Sequence, residues 1–282
     1  MNEKNPTRPS AIVDHFLTQE SFSVSWDASN QVGQTTGVDV SRLDNYYGGK
    51  KYASHQKNKA GFFGFFYRLA QSQALSYKCR LLTPMLPKKA TVLDYGCGIG
   101  DFLVHLQDKG YQVQGYEPYK SAEAVVKERG VSVVTLDTLS KKKSVYNMIT
   151  LWHVLEHIPD VDRAISLFHQ SLRQQGLLVL ALPNPNAKDA QVYGAHWAAW
   201  DVPRHLWHFT PQGIKSKLEH FGFVLKGTYP LPLDAFYVSL LSEGYKKSSF
   251  RWLRAFWNGM KSNLSARKTG NYSSLIYIFQ KC

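Results

Sequence analysis

Ala90-Thr-Val-Leu-Asp-Tyr-Gly-Cys-Gly-Ile-Gly100, continuing as Asp101-Phe-Leu-Val-His-Leu106, is the stretch from which the rest of the chain is read. Thr91 to Tyr95 is a short apolar run rich in β-formers. It breaks into three glycines spaced two apart, Gly96, Gly98 and Gly100, and then into Ile99, Phe102, Leu103 and Leu106 at helical spacing. A strand that ends in glycines and opens a helix lets a ligand approach bare backbone, because no Cβ stands in the way. It also aims the unpaired N–H groups of the helix start at that ligand. The plainer alternative is a tight strand-to-helix turn that binds nothing, and the glycines alone do not separate the two.

The downstream spacing separates them. A dinucleotide fingerprint reads G-x-G-x-x-G, and its third glycine position holds Asp101 here. The pattern is instead Asp94-x-Gly96-x-Gly98-x-Gly100. A second strand, Tyr111 to Tyr116, leads to Glu117, where a carboxylate can take both hydroxyls of a ribose. A third, Val131 to Leu136, leads to Asp137, placed to meet an adenine amino group. With these pieces in order, the chain resembles the class I S-adenosylmethionine-dependent methyltransferases, in particular bacterial small-molecule enzymes of the ubiquinone-biosynthesis kind. The resemblance covers roughly residues 45–282.

What it implies is an α/β fold: a Rossmann-like, seven-stranded, mostly parallel sheet with an antiparallel last strand, helices on both faces, an N-terminal helical lid and a C-terminal helical insertion. The implied cofactor is S-adenosylmethionine. Its expected contacts are Asp94, Tyr95, Gly96, Cys97, Gly98 and Gly100 from the first motif, then Glu117 and Pro118, Asp137 and Thr138, and Trp152 and His153.

Composition sets the bounds. A chain of 282 residues holds one large domain with insertions or two small ones, and 44% apolar residues is ordinary for a globular protein. Three scattered cysteines argue against a disulfide framework and for a reducing compartment. The first thirty residues carry no signal-peptide core and no apolar run is of bilayer-spanning length, so the expectation is a cytoplasmic protein. The net charge of +13 points to an acidic small molecule, a nucleic acid or an anionic membrane surface as partner.

Along the chain, residues 1–44 read as a flexible, polar arm with one short strand around Ser21 to Trp26. Residues 45–88 read as the lid segment, with Tyr52 and His55 as candidate substrate contacts and a helix from about Gly64 to Leu82. Residues 89–282 are expected to form the catalytic domain, with insertions 184–210 and 231–271 on the substrate side. The fourth strand, Val145 to Leu151, ends in Trp152-His153-Val-Leu-Glu156-His157, which resembles the family's fourth motif. It departs from it at Asn147, where relatives usually carry an aspartate. Asp160 reads as the N-cap of a helix to about Leu172, and Thr210-Pro211 as the start of another. Pro183-Asn-Pro-Asn186 follows the fifth strand and reads as a loop.

The insertion His196 to Pro211 carries tryptophans, three histidines, an Asp and an Arg, more than a spacer needs. Relatives share its Asp-x-Pro-x-His-x-x-His-Phe-Thr-Pro pattern on the substrate face, which implies substrate roles for Trp200, Arg204 and His208. A metal site at His196, His205 and His208 is disfavoured by irregular spacing and the lack of a cysteine or paired acid. For a hydroxyl acceptor a base is needed. The candidates are His153 first, then His205, with His157 structural and Asp201 orienting one of them.

Gly244 to Gly270 contains seven Lys and Arg and no acid, and Phe250, Leu253, Trp257, Met260 and Leu264 form one helical stripe. Peripheral membrane contact through 246–268 is one reading. The favoured one turns that stripe to the protein core, as a helix over the substrate pocket with its cations in solvent. The function expected overall is methyl transfer to a small-molecule acceptor, anionic given the charge, through a hydroxyl on a sugar, lipid-linked or quinone-like compound. An RNA methyltransferase is the alternative enzyme, without a recognisable RNA-binding module, so nucleic acid is disfavoured. A non-catalytic cofactor- or membrane-binding protein is the alternative outside enzymes.

Overall fold

The computed structural model describes residues 8–29, 31–47 and 62–282, and among these the side chains of all but residues 44 and 62–71. Tyr52 and His55 lie outside the described residues. In chain order the strands are β1 (Ile12–Val13), β2 (Ser21–Trp26), β3 (Val32–Thr36), β4 (Thr91–Tyr95), β5 (Gln112–Tyr116), β6 (Ser132–Val133), β7 (Tyr146–Trp152), β8 (Leu172–Pro183), β9 (Trp207–Phe209), β10 (Phe223–Pro230) and β11 (Ser274–Lys281). The chain divides into two compact units. One is Phe66–Ala181, Lys215–Tyr229 and Ile276–Cys282, and the other takes 182–214, 230–275 and the described residues before 66.

The first unit is built on a seven-stranded sheet in the order β10-β11-β8-β7-β4-β5-β6. The strands β8, β7, β4, β5 and β6 run parallel, and the last strands are antiparallel, as expected for the Rossmann-like class. The parallel core reads as continuous apolar runs because central strands are covered on both faces. Val92, Leu93, Met148, Ile149, Leu151 and Leu178 to Leu180 are all buried. From β4 the chain winds outward through β5 and β6, then returns to the far side of β4 as β7. The switch point therefore falls between β4 and β7, where open α/β sheets form their crevice. Asn147 accepts the Thr91 N–H through its Oδ1 at 3.0 Å, tying those two strands at their entry.

The helix starts follow their caps. Asp160 accepts the Arg163 N–H at 3.0 Å to open Val161–Ser171, and Thr210 accepts the Gly213 N–H at 3.0 Å to open Pro211–His220. The third strand is shorter than expected. Thr135 accepts the Thr138 N–H at 3.1 Å and opens the helix Leu136–Ser140, so capping ends β6 at Val133.

The second unit takes in the described part of the stretch read as a flexible arm. β1, β2 and β3 join β9 in a four-stranded sheet, antiparallel at each of its pairings. Insertions 184–210 and 231–271 fall in the same unit, which also holds two long helices, Pro232–Tyr245 and Arg251–Thr269. Here the preference for an inward apolar stripe is corrected. The buried residues of Arg251–Thr269 are Ala255, Gly259, Ser262 and Ala266, whereas Phe250, Leu253, Trp257 and Leu264 are exposed. A Cβ on Gly259 would come within 2.7 Å of the Phe236 ring, so close packing of the two helices selects the small-residue face.

Candidate active site

The glycine turn is positioned by the end of β4. The N–H groups of Gly96 and Cys97 donate to the Tyr116 carbonyl at 2.7 and 3.0 Å, fixing the turn against the end of β5. Gly96, Gly98 and Gly100 all have positive φ, at 77°, 56° and 81°. The glycines serve different ends. A Cβ on Gly96 would strike Val154 Cγ2 at 2.6 Å, a packing constraint. At Gly98 no atom lies within 4 Å of where a Cβ would stand, so this backbone is open to a ligand. Gly100 is the N-cap of the helix Asp101–Gln107.

Glu117 is held beside that opening. Its Oε2 accepts the Gly98 N–H at 2.8 Å and its Oε1 accepts the Tyr119 N–H at 3.1 Å. Burial raises its pKa above the ordinary carboxylate value, against the pull of those two bonds. Asp94 is buried in β4 and accepts the Thr150 hydroxyl at 2.6 Å, from the residue opposite it on β7. Burial pushes its pKa up to about 7, with Thr150 and Lys78 opposing and Glu117 reinforcing. A cation placed at the open glycine backbone would favour the ionised forms of these two acids against the effect of burial. Lys78 lies 4.0 Å over the Trp152 ring, which meets Phe102 edge-on. The Trp152 Nε1–H is buried without a hydrogen-bond partner. Glycine opening, ribose-type acid and buried orphan donor all sit in one unit, and they fit a nucleoside-bearing cation such as S-adenosylmethionine.

The remaining expected contacts divide. Tyr95 packs on Tyr116 at 4.4 Å and on Phe168, and the Cys97 thiol fills the space beside Gly115, so both serve packing. Burial raises the pKa of each, keeping phenol and thiol neutral. Pro118 is exposed. Asp137 does not end a strand but lies exposed in the first turn of its helix, 2.7 Å from Lys141, with Thr138 beside it.

His153 is the first residue after β7 and has a left-handed backbone, φ 56°. Non-glycine residues in that region are sparse and gather at functional sites. Its N–H donates to the Ala181 carbonyl on β8 at 3.1 Å, and its Nδ1 lies 3.5 Å from the buried Glu156 carboxylate. With a third of its side chain exposed, the ring is reachable. His157 closes the short 3-10 turn Leu155–His157. Glu156, not singled out as a site residue from the sequence, is what the His-x-x-Glu spacing offered.

The His196–Pro211 segment reads differently in the structure. Arg204 is fully buried, donating to Asp14 Oδ1 at 2.9 Å, to Asp201 Oδ1 at 2.7 Å and to the Tyr46 carbonyl at 3.1 Å. Burial pulls its pKa down, and Asp201 and Asp14 more than reverse this, so it ends raised. Asp201 is thus spent on Arg204, its other oxygen 3.9 Å from His205 Nε2. Trp200 is buried and donates to the Gly194 carbonyl at 2.9 Å. Thr35 gives its one hydroxyl proton to the His205 carbonyl at 2.7 Å, so the His208 Nε2, 2.9 Å away, is the donor to Thr35. Burial, then the neighbouring His205 and Arg8, drop the His208 pKa well below 6.5 and keep it neutral. His205 Nδ1 meets the Ala199 carbonyl at 3.0 Å, and His196 stacks on His15. Trp200, Arg204 and His208 are thus buried and hydrogen-bonded within their own unit. The missing signal was Asp14 and Thr35, distant in sequence and uninformative alone.

Comparison with known proteins agrees with the fold. Residues 68–226, more than half the chain, match the family model described as a methyltransferase domain. A ubiquinone biosynthesis O-methyltransferase from Rickettsia canadensis is 25% identical over 207 residues, 68% of this chain and 86% of the relative. The protein of that name from Yersinia enterocolitica is 30% identical over 124 residues, 40% of this chain and 51% of the relative, so the match spans about half of that protein. Among solved structures, magnesium protoporphyrin IX methyltransferase from Synechocystis, with bound SAH, has a TM-score of 0.56 at 17% identity, over 86% of this chain and all of its own.

Proposed function

The chain belongs to the methyltransferase-domain family and is a class I S-adenosylmethionine-dependent methyltransferase acting on a small molecule, and on that premise we propose that it methylates a hydroxyl oxygen with His153 as the base. The observation that carries the proposal is the His153–Glu156 pair at the carboxyl end of β7, beside the switch point. Gly98 and Glu117 would hold the cofactor, Glu117 at its ribose. When bound, S-adenosylmethionine supplies an electrophilic methyl carbon and leaves as the neutral thioether. Burial favours the neutral forms of Asp94 and Glu117, and a bound cation would draw both toward their ionised forms. His153 presents Nδ1 to Glu156, which leaves Nε2 to take the acceptor's proton as the oxygen forms its new bond. The buried carboxylate holds the ring's tautomer and offsets the charge that the ring gains.

The names of the curated relatives favour an oxygen acceptor, and the charge of +13 favours an anionic one, on a quinone-like, lipid-linked or sugar compound. No separate observation supports the RNA alternative. The test is transfer of labelled methyl to a panel of phenolic acids, sugar phosphates and RNA. The proposal expects a hydroxyl compound to be labelled, and His153→Gln to slow labelling by about a hundredfold or more while S-adenosylhomocysteine still binds. Labelling at nitrogen or on RNA, or a His153→Gln variant that labels as fast as the parent, would sink it.

A further inference from the structure

The helix Arg251–Thr269 has its chemistry inside out for a helix in water. Its inward face is small and polar. Asn258 Nδ2 donates to the Tyr193 hydroxyl at 2.9 Å and to the buried Glu243 at 3.1 Å. Ser262 donates to Asp189 at 2.6 Å, and Asn263 Nδ2 donates to the Pro232 carbonyl at 2.9 Å. These bonds, with Gly259 close on Phe236, lock the helix's rotation. Its outward face is therefore held apolar. Phe250 is 83% and Leu253 59% exposed, and Phe256, Trp257 and Leu264 are about half exposed. Scattered exposed apolar side chains are ordinary, but these recur along one helix and its first turn, as at a contact surface.

The flanking charge identifies the occupant. Lys246, Lys247, Arg251, Lys261, Arg267 and Lys268 are all exposed, and no acid interrupts 244–270. Lys261 follows Trp257 by four residues and Lys268 follows Leu264 by four, so both cations rise beside the apolar face. Aromatic and leucine side chains at the level of lipid headgroups, ringed by cations that reach anionic lipid, are the features of a helix lying in a membrane interface. Among the described residues no helix is long and apolar enough to cross a membrane, so this is a surface contact. We propose that the exposed face of Arg251–Thr269, with the Lys246–Phe250 turn, docks the protein on an anionic lipid bilayer.

The proposal is independent of which acceptor is methylated. Its test is co-sedimentation of the full chain with vesicles of phosphatidylcholine alone and of an equimolar mixture with phosphatidylglycerol. Binding to the mixed vesicles that weakens with added salt is expected, with little binding to phosphatidylcholine. The double variant Leu253→Glu/Trp257→Glu should lose about tenfold or more in vesicle affinity, and Lys261→Glu/Lys268→Glu a similar amount. Both should bind S-adenosylhomocysteine as the parent does, which shows that they fold. Absence of binding to mixed vesicles, or binding that both variants retain, overturns the proposal. Self-association by light scattering that Leu253→Glu/Trp257→Glu abolishes, with no vesicle binding, overturns it in favour of a second copy of the chain.

Discussion

Replacing Asp94 by Asn should make the protein more stable above neutral pH and leave its stability in acid unchanged. Asp94 is 2% exposed, in the middle of the parallel sheet, with the Thr150 hydroxyl at 2.6 Å. Burial, the largest effect, raises its pKa from 3.8 to about 7. The unfolded chain thus loses this proton near the ordinary value, while the folded protein holds it to near neutrality. Between those limits the folded state binds more protons, so stability falls as pH rises, and below them nothing is lost. A rise from 3.8 to about 7 corresponds to a penalty on the order of 4 kcal/mol above neutrality. Asn keeps the shape and still accepts the Thr150 hydroxyl, without the charge. For a large domain, about 2–4 °C of Tm per kcal/mol makes the variant about 10 °C more stable at about pH 8. The gap should close by about pH 4. The assay is thermal unfolding of both proteins across that range by circular dichroism, in the absence of cofactor. Cofactor affinity should fall in the variant, because the charge lost is one that favours the sulfonium. A variant less stable than the parent at alkaline pH, or a gap that does not change with pH, would refute the reasoning.

Five further substitutions have expected outcomes. Gly98→Ala should cost only about 1 kcal/mol of stability, since its left-handed φ is strained but its surroundings are open, while S-adenosylhomocysteine affinity drops at least about tenfold. Gly96→Ala should show the larger stability loss, about 2–3 kcal/mol by denaturant titration, from its clash with Val154. Arg204→Met leaves Asp14 and Asp201 uncompensated and should destabilise by about 3–5 kcal/mol, and a change under about 1 kcal/mol would remove its role as a staple. Once an acceptor is known, His153→Gln should lower kcat by about 10²–10⁴ with cofactor affinity unchanged, and Glu156→Gln should alter the pH profile of kcat.

What was legible in the sequence was local. The strand, three glycines and helix of 91–107 are contiguous, and the acid at Glu117 follows from counting one strand and turn onward. What was not legible depended on partners far along the chain. Arg204 and His208 looked like site residues because polar and aromatic groups were crowded together, yet their partners, Asp14 and Thr35, are 190 and 173 residues away. The same separation hid the folding of residues 8–47, since a polar strand is informative only beside the strand that it pairs with. In the C-terminal helix the apolar spacing was real but its direction was not. Ala255, Gly259, Ser262 and Ala266 repeat just as regularly, and helix contact favours the face that lets backbones approach.

The most direct test of the account is calorimetric titration of the purified protein with S-adenosylmethionine and S-adenosylhomocysteine, beside Glu117→Ala. If Glu117 holds the ribose as proposed, removing its carboxylate would delete charge-assisted bonds worth roughly 3 kcal/mol, or about a hundredfold in Kd. The account predicts Kd values in the micromolar range for the parent and that loss for the variant. Silence from both ligands with a folded protein, or a variant that binds as the parent does, would contradict it.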